Sequence, residues 1–395
     1  MSRRRSGSGI ATTFAVTGIG MTAMSRRSGR SVQAQACEAA AAACVDAGVA
    51  PDDVDSVIPL GGYLTTEDLI AGIGLPDSVY DATPGPGGNA PVASVRLAEV
   101  MIAGGAARHV LAVVAKNGAS EARIADRVTA LPGQEFRRQL ERPQGWTSPA
   151  EWYAMLCRRY MIEHGITKDH LAAVALAAYD FAQSNPRAMM NGRPLTRAMY
   201  DASPMIAEPY QLYDCCQETD GAVAVLLSAV DAIDRTERAV PVLGASTARP
   251  QSPDDLSGRE NWELIGLHTA APIAFERAGV GPDDMSAAMV YDCFTFELIH
   301  QLEAAGFCPP GEGGPFVASG AIARGGRLPV NTHGGLLAEG HMSGMGHIVE
   351  AVRQLRGEAG ANQLDDPRHI AVTGWGDWGD GSLVVLGSPA RGRAA

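Results

Sequence analysis

A short segment occurs twice in the chain, and it constrains the fold more than any other feature of the sequence. AGVAPDDVDSVI at residues 47–58 returns as AGVGPDDMSAAMV at residues 278–290. Each copy ends a helical pattern and leads into an apolar run typical of a strand. After each copy the chain continues in the same order, with a glycine-containing loop, a helix and a strand. This order predicts that one half of the protein, rich in βαβ units, occurs twice.

Strand-like and helix-like patterns alternate within these halves. Residues 31–48 and 95–106 have the spacing of helices, and residues 12–20, 54–62, 108–118, 219–228 and 369–376 have that of buried strands. Such alternation is typical of an α/β fold with a parallel sheet layered by helices.

The region between the halves differs in composition. Residues 118–210 are rich in Arg, Trp, Tyr and Met, and they suggest an inserted helical cap or loop region. We therefore expect one half to comprise residues 1–117 plus 211–235. Residues 236–395 would form the other half.

The overall composition narrows the possible functions. With 395 residues, 46% hydrophobic and 19% charged, the chain can bury a large core. A formal charge of −12 disfavours nucleic acid and acidic membrane surfaces as partners. No apolar run is long enough for a membrane span, and we interpret the basic start as a flexible head before the first strand. Seven cysteines without a CxxC pair favour a reducing, cytoplasmic location.

The stretch DATPGPGGNAPVAS, residues 81–94, leads a glycine-rich loop directly into a helical pattern. Glycines before a helix amino end allow a phosphate, an oxyanion or a side chain to approach the backbone closely. The loop itself contains no cysteine, histidine or lysine. The sequence therefore predicts close approach to the backbone here without naming the group that approaches.

Two other segments carry chemical candidates. Tyr291, Asp292 and Cys293 lie at a strand-to-helix turn, a usual position for catalytic groups in α/β sheets. Tyr291 is a candidate general acid or base. For Asp292 a helix cap is the favoured interpretation, and for Cys293 a buried structural thiol is favoured over a nucleophile.

The second segment is the glycine-rich loop NTHGGLLAEGHMSGMGH, which contains His333, His341 and His347. The wide spacing of these histidines does not fit the close pairs of zinc-binding helices, so we predict no metal site. Glycines around the histidines favour imidazole N–H groups directed at a ligand oxygen, as in an oxyanion hole.

With these pieces assembled, the chain resembles the thiolase superfamily, in the branch of lipid-transfer-protein or sterol-carrier-protein-type thiolases. The resemblance covers nearly the whole chain and includes SPAEWYAMLCRRYMIEHGIT, DGAVAVLLS, DCFTFELIHQLEAAGFC and LPVNTHGGLLAEGHMSGMGHIVEAVRQLRG. It implies a thiolase fold, a duplicated five-layer αβαβα arrangement with the inserted cap region. It also implies an active site between the halves and a homodimer.

Matching the motifs of that family gives the expected site. Where thiolases carry the nucleophilic cysteine this chain has Gly88, and where they carry a second cysteine it has Trp375. Tyr291 stands where the family has a histidine or asparagine. His341 matches the histidine of the GHP motif, although a methionine replaces the proline. Without a thiolate an acyl-enzyme cannot form by the thiolase route.

The resemblance then implies a carbon–carbon lyase. The chain is similar to bacterial thiolase-like aldolases that shorten steroid side chains, and it would cleave a bulky β-hydroxyacyl-CoA by a retro-aldol reaction. Tyr291 would transfer the proton, and His341 with His333 would supply oxyanion donors or reprotonate the enolate. The retained His341 departs from many of those aldolases.

Five further positions are expected to contact the substrate: Gly88, Asn89, Asn331, Gly334 and Gly335. The resemblance implies no cofactor in this chain beyond the CoA of the substrate. It implies a partner of OB-fold plus zinc-ribbon type, which would hold the only zinc of a heterotetramer. Two alternatives remain open, a non-catalytic acyl-CoA-binding subunit and an acyltransferase that uses Cys293.

Overall fold

A computed structural model describes residues 13–61, 64–76, 80–84, 87–121, 137–250, 259–376 and 379–389. The basic start of the chain, Gly85 and part of the inserted region lie outside these ranges. The strands are β1 (Phe14–Met21), β2 (Ser56–Leu60), β3 (Tyr80–Asp81), β4 (His109–Asn117), β5 (Met205–Ala207), β6 (Tyr210–Gln211), β7 (Asp220–Ala229), β8 (Val240–Ala248), β9 (Ala287–Met289), β10 (His369–Gly376) and β11 (Asp380–Gly387). The helices are α1 (Val32–Ala47), α2 (Thr66–Ile73), α3 (Ala90–Ala103), α4 (Pro149–His164), α5 (Lys168–Gln183), α6 (Arg197–Asp201), α7 (Gly266–Ala278), α8 (Thr295–Ala304), α9 (Gly313–Ala318), α10 (Gly335–Ala338) and α11 (Met345–Arg356).

The repeated segment has the same structure in both copies. α1 ends before Gly48 and α7 ends before Gly279, and these glycines have φ values of 72° and 68°. A left-handed residue after a helix strongly favours glycine, which explains why both copies carry one. A short 3-10 turn follows in each copy, at Pro51–Asp53 and Pro282–Asp284, before β2 and β9 begin. The predicted duplication is confirmed.

The strand order is symmetric about the centre of the sheet. It runs β3-β2-β4-β7-β1-β8-β11-β10-β9 within the described residues. Counted outward from the centre, β1, β7, β4 and β2 match β8, β11, β10 and β9. The two halves meet where β1 pairs with β8 at only two positions, Ala15 with Pro241 and Val16 with Val240.

The prediction of a parallel sheet is only partly right, because the sheet is mixed. β2 pairs in parallel with β3 and β4, and β9 pairs in parallel with β10. β7 and β11 run antiparallel to their neighbours. β11 follows β10 directly, and a strand that returns through a short connection pairs antiparallel because no crossover helix intervenes.

Helices on three levels complete five layers. α3 and α11 contact strands of both halves and form the central layer. α1 and α2 cover the outer face of the first half, and α7 and α8 cover that of the second. The order α, β, α, β, α agrees with the expected thiolase fold.

Residues of β4 show why each half-sheet is buried on both faces. Val110, Ala112 and Val114 belong to the core shared with α3, whereas Leu111, Val113 and Ala115 belong to the core under α1. This alternation is the period of two of a strand. The same period directs the next residue of the first set, Lys116, towards the interface between the halves.

The inserted region packs on the second half. α4 contributes Trp152, Tyr153 and Tyr160 to the core that contains Phe296 of α8. α5 contacts α8, α9 and α10, so the insertion covers the segment that leads to the glycine-rich histidine loop. Among the helices of the described ranges, none is both long and apolar enough to cross a bilayer.

Candidate active site

Tyr291 lies in the turn between β9 and α8, and a closed set of hydrogen bonds holds its backbone. The Tyr291 N–H donates to Thr373 Oγ1 at 3.2 Å, and its carbonyl accepts from Gln301 Nε2 at 2.6 Å. Thr373 Oγ1 donates to Gln301 Oε1 at 2.7 Å, which joins the two supports. All three residues are buried. The backbone of Tyr291 is therefore held at both its N–H and its carbonyl group, which fixes the point from which the ring extends.

The phenol of Tyr291 lies against Gly88, two residues before α3 begins. A Cβ atom at position 88 would lie 2.1 Å from Tyr291 Cζ, 2.2 Å from its Oη and 2.5 Å from the carbonyl oxygen of Trp375. Only glycine fits there without displacing the ring. The space expected beside Gly88 for a substrate group is therefore occupied by Tyr291. Gly88 and Trp375, the positions matched to the two thiolase cysteines, are direct neighbours across the two halves.

His341 contacts the hydroxyl of Tyr291. Tyr291 Oη and His341 Nε2 are 3.2 Å apart, and the other ring nitrogen, Nδ1, lies 2.5 Å from Lys116 Nζ. Lys116 Nζ also donates to Ser343 Oγ at 3.3 Å. The backbone N–H of His341 donates to Thr219 Oγ1 at 3.0 Å. Tyr291 and Lys116 are buried, whereas the side of the site at His341 and Ser343 is partly exposed.

Lys116 was not predicted from the sequence, although a signal was available. It is a charged residue directly after the apolar run of β4, residues 110–115, in step with the residues that face the central core. Buried lysines are rare unless their charge has a partner. The partner here is His341, which is 225 residues away in the chain.

Burial and local charge have opposite effects on Tyr291. Burial raises the pKa of Tyr291 well above 10, and the nearby thiol of Cys293 acts in the same direction. The amino end of α3, beside Gly88, carries the positive end of the helix dipole and favours an anion. The ring is therefore a phenol at rest, and the positive end of the α3 dipole lowers the free energy needed to ionise it.

The environment of Cys293 disfavours a role as nucleophile. Burial raises the pKa of the Cys293 thiol well above its ordinary value, and the carboxyl group of Glu297 adds to the shift. Because the thiolate is the reactive form of cysteine, this environment disfavours an acyltransferase that uses Cys293.

His333 lies away from the hydroxyl of Tyr291, behind His347. His333 Nε2 and His347 Nδ1 are 3.0 Å apart. His347 Nε2 is 3.2 Å from Asp292 Oδ1, but without the alignment of a hydrogen bond. Burial lowers the pKa of His333 well below its ordinary value, so His333 is neutral. The structure brings His341 to Tyr291 and places His333 in this buried layer.

Asp292 caps a helix, but not the helix that follows it in the chain. Its carboxylate accepts from the N–H groups of Leu336 at 2.8 Å and Leu337 at 3.4 Å, in the first turn of α10. The interpretation of Asp292 as a cap is right, and α8, the helix after the turn, is the wrong helix. The cap ties the Tyr291 turn to the histidine loop.

Three of the residues expected to contact substrate are engaged within the protein. Asn331 accepts from the Val290 N–H at 2.7 Å and donates to the Val290 carbonyl at 2.8 Å. A Cβ at Gly334 would lie 3.0 Å from the Cβ of Ala182, and one at Gly335 would overlap Asp292. These residues hold the loop in place, and a substrate contact for them stays a prediction. Asn89 is buried beside Gly88, and its Oδ1 has no protein partner.

One group of potential metal ligands occurs within the described part of the chain. Atoms of Glu163, His164 and Glu263 lie within 4.8 Å of one another on the inserted region and the segment before α7. Glu163 pairs with Arg159 and accepts from Trp262 Nε1 at 3.2 Å, and His164 Nε2 lies 2.6 Å from Glu263. The atoms that could bind a metal are therefore already in contact with other groups of the protein.

A duplicated fold with a tyrosine–histidine pair between its halves, and no cysteine at the nucleophile position, is the architecture of a thiolase-like protein. The family described as "Thiolase C-terminal domain-like" matches residues 249–388. The "17-hydroxy-3-oxo-4-pregnene-20-carboxyl-CoA lyase" of Mycobacterium tuberculosis is 38% identical over 91% of this chain and 95% of its own length. The "Steroid side-chain-cleaving aldolase" of Thermomonospora curvata is 36% identical over 91% of this chain and 94% of its own length.

A solved structure agrees with these sequence relatives. The "Ltp2-ChsH2(DUF35) aldolase" superposes with a TM-score of 0.88 and 32% identity, over 96% of this chain and 98% of the matched chain. The chain belongs to the thiolase superfamily, in the group of thiolase-like proteins that includes these steroid side-chain-cleaving aldolases.

Proposed function

We propose that the protein cleaves a bulky β-hydroxyacyl-CoA by a retro-aldol reaction. The observation that carries the proposal is the contact of the Tyr291 hydroxyl with both His341 and Gly88, at the position where a thiolase has its cysteine. A hydroxyl in this place can exchange a proton with substrate. It does not provide the thiolate that an acyl-enzyme route requires.

The reaction balances without an oxidant or a second substrate. Tyr291 must first lose its own proton to solvent. The phenolate then removes the proton of the β-hydroxyl group, and the oxygen forms a carbonyl as the Cα–Cβ bond breaks. The electron pair of that bond passes into the thioester as an enolate. The proton on Tyr291 then returns to Cα, which releases a ketone or aldehyde and a shorter acyl-CoA.

His341 acts as the hydrogen-bond donor of the site. Its Nε2 faces the Tyr291 oxygen at 3.2 Å and can stabilise negative charge there while the proton is on substrate. The amino end of α3, with Gly88 and Asn89, favours the negative charge of the enolate. His333 supports the site indirectly, through His347 and Asp292.

The substrate class follows from the chemistry named in the relative. In 17-hydroxy-3-oxo-4-pregnene-20-carboxyl-CoA the hydroxyl carbon, C17, is β to the thioester carbonyl attached at C20. We infer that a steroid-derived thioester of this kind is the substrate of the present chain. The ketone would form at the ring carbon, and the released acyl-CoA would be short.

We also infer an assembly. The name of the similar solved structure includes a DUF35 component, and a partner of this type, with an OB fold and a zinc ribbon, would help to bind the CoA thioester here. The thiolase fold favours a homodimer as the centre of a heterotetramer. The seven cysteines are free thiols, which supports a reducing cytoplasm.

The proposal is tested by identifying the products. The purified chain, alone and with a DUF35 protein from the same organism, is incubated with 17-hydroxy-3-oxo-4-pregnene-20-carboxyl-CoA, in separate reactions without and with free CoA. We expect a steroid ketone and a short acyl-CoA in equal amounts. Binding of the thioester without turnover under both conditions would instead identify a non-catalytic acyl-CoA-binding subunit. Cleavage that depends on added CoA would indicate an acyltransferase.

A further inference from the structure

Lys116 is an exceptional residue in this chain. Of the 32 basic residues two are lysines, Lys116 and Lys168, and the rest are arginines. Lys168 opens α5 on the inserted region, whereas Lys116 lies at the end of a central strand and is only 6% exposed. Burying an ammonium group costs free energy unless a strong partner compensates. One partner of the ammonium is an imidazole nitrogen, His341 Nδ1.

The chemistry of the two groups determines the direction of the hydrogen bond. A lysine ammonium has three donors and no acceptor. Its Nζ lies 2.5 Å from His341 Nδ1, so Nδ1 must accept and carry no proton. A neutral imidazole then has its proton on Nε2, the nitrogen that faces the Tyr291 oxygen at 3.2 Å. A contact at one nitrogen thereby sets the role of the other.

We propose that Lys116 is a positioning residue that holds His341 in the Nε2–H tautomer, so that His341 donates to Tyr291. The proposal rests on the proposed retro-aldol function for its consequence in catalysis. The ammonium charge offsets the negative charge of the Tyr291 phenolate through the imidazole. It thereby opposes the effect of burial, and Ser343 steadies the ammonium through a second hydrogen bond.

Other titratable groups face the same site and are the background for any pH profile. Cys216 lies close enough to Lys116 for the ammonium charge to oppose the rise of its thiol pKa, which burial raises to about 12. Cys293, Cys216, Tyr153 and Asp292 are among the groups whose charges raise the pKa of Tyr291. His347 lies edge-on to the ring of Tyr291 on another side. Lys116 and His341 form a hydrogen-bonded chain to the Tyr291 hydroxyl.

The tautomer is measured without turnover. Nitrogen NMR of protein labelled at histidine, with the His341 signals assigned from their loss in His341→Gln, reports which ring nitrogen carries the proton. We expect the Nε2–H form in the wild type at neutral pH, and a shift towards the Nδ1–H form or a mixture in Lys116→Met. A wild-type spectrum with the proton on Nδ1, or the same spectrum in Lys116→Met, would overturn the proposal. This result does not depend on whether the protein cleaves any thioester.

The kinetic test compares Lys116→Met with the wild type in the cleavage of the thioester. In Lys116→Met we expect kcat to fall about 30- to 100-fold with KM within about twofold. The ascending limb of the pH–rate profile should move to higher pH by about one unit, because the phenolate loses a nearby positive charge. Ethylamine added to Lys116→Ala should restore at least part of the rate. A fall in kcat without either the pH shift or the rescue would identify a merely structural lysine.

A double variant separates the inference from the function. If Lys116 acts through His341, Lys116→Met adds little to the loss already caused by His341→Gln. If the fold-losses in kcat of the two single variants multiplied in the double variant, a role of Lys116 through His341 would be contradicted. If the wild type does not cleave the thioester, the retro-aldol function fails, while the NMR result still decides the tautomer.

Discussion

His341 and His347 come from one glycine-rich segment, and both lie edge-on to the ring of Tyr291. The ring centroids are 6.2 and 6.5 Å from that of Tyr291, at interplanar angles of 77° and 88°. His341 is partly exposed and bonded to the Tyr291 hydroxyl and to Lys116. His347 is fully buried and contacts His333 and Asp292. Equal proximity to the tyrosine therefore does not mean an equal role.

The difference lies in which atoms each imidazole can offer. The Nε2 atom of His341 faces the phenol oxygen at the interface of the two halves, where substrate can arrive. Both nitrogens of His347 face buried protein groups, and its layer holds the cap of α10 and thus the shape of the loop. We expect changes at His341 to affect rate, and changes at His347 to affect stability.

The largest effect on rate should come from His341→Gln. Glutamine keeps a polar side chain of similar reach but removes the imidazole whose Nε2–H is directed at the Tyr291 oxygen. We expect kcat to fall on the order of 100- to 1000-fold, with a change in unfolding free energy below about 0.5 kcal/mol. Steady-state kinetics and denaturant unfolding of the same preparation give both numbers. An unchanged kcat would remove His341 from the mechanism.

Gly88→Ala should separate Tyr291 from His341 without altering either side chain. The added methyl group would overlap the phenol, so the ring must move. We expect kcat to fall about 10- to 100-fold, because displacements of about 1 Å have effects of this size. Gly281→Ala is the control, since the nearest atom to its added Cβ is 3.8 Å away. Wild-type activity in Gly88→Ala would mean that the position of the phenol does not matter.

His347→Gln is the matched change in the buried layer. We expect the unfolding free energy to fall by about 1–3 kcal/mol, because buried polar partners lose their hydrogen bond, and kcat to change less than about fivefold. Chemical denaturation measures the first and product formation the second. A large loss of kcat in a protein of unchanged stability would reverse the contrast between the two histidines.

Glu350→Gln should have the smallest effect on rate. It tests whether a buried titratable group can change stability with pH without changing the rate. Burial raises the pKa of Glu350 from 4.5 to about 7. Between these values the native state binds more protons than the unfolded state, so this group makes stability fall as pH rises from about 4.5 to 7. Glu350→Gln should flatten that slope by about 1 kcal/mol per pH unit and change kcat less than twofold. Glu67→Gln, at an exposed position, is the control, and an unchanged slope in Glu350→Gln would contradict the assignment.

Much of the fold could be predicted from the sequence because it depends on local patterns. The repeated turn at residues 47–58 and 278–290 specifies a left-handed glycine, a 3-10 turn and a strand, all within a few residues. The period of apolar residues likewise gave β4 and β10 nearly to the residue. The antiparallel pairing of β7 and β11 was not predicted, because strand direction depends on the path of connections rather than on the pattern within a strand.

The site residues that belong to a sequence motif were predicted. Those whose role depends only on contacts between distant parts of the chain were missed. Tyr291 and His341 belong to recognisable segments, and the structure brings them together. Lys116 meets His341 across 225 residues, and no local pattern encodes that contact. The occupation of the space beside Gly88 by Tyr291 also depends on how the two halves approach each other. Sequence identified the missing cysteine, but only packing identified what fills its place.

Deuterium incorporation tests the central claim, proton transfer through Tyr291, most directly. The protein and a DUF35 partner are mixed with 17-hydroxy-3-oxo-4-pregnene-20-carboxyl-CoA in D2O without free CoA, and the acyl-CoA product is analysed by mass spectrometry. We predict one deuterium at Cα of the released acyl-CoA in the wild type. In a folded Tyr291→Phe variant we predict cleavage slowed at least about 100-fold. Equal cleavage by Tyr291→Phe, or a product that forms only when CoA is added, would contradict the account.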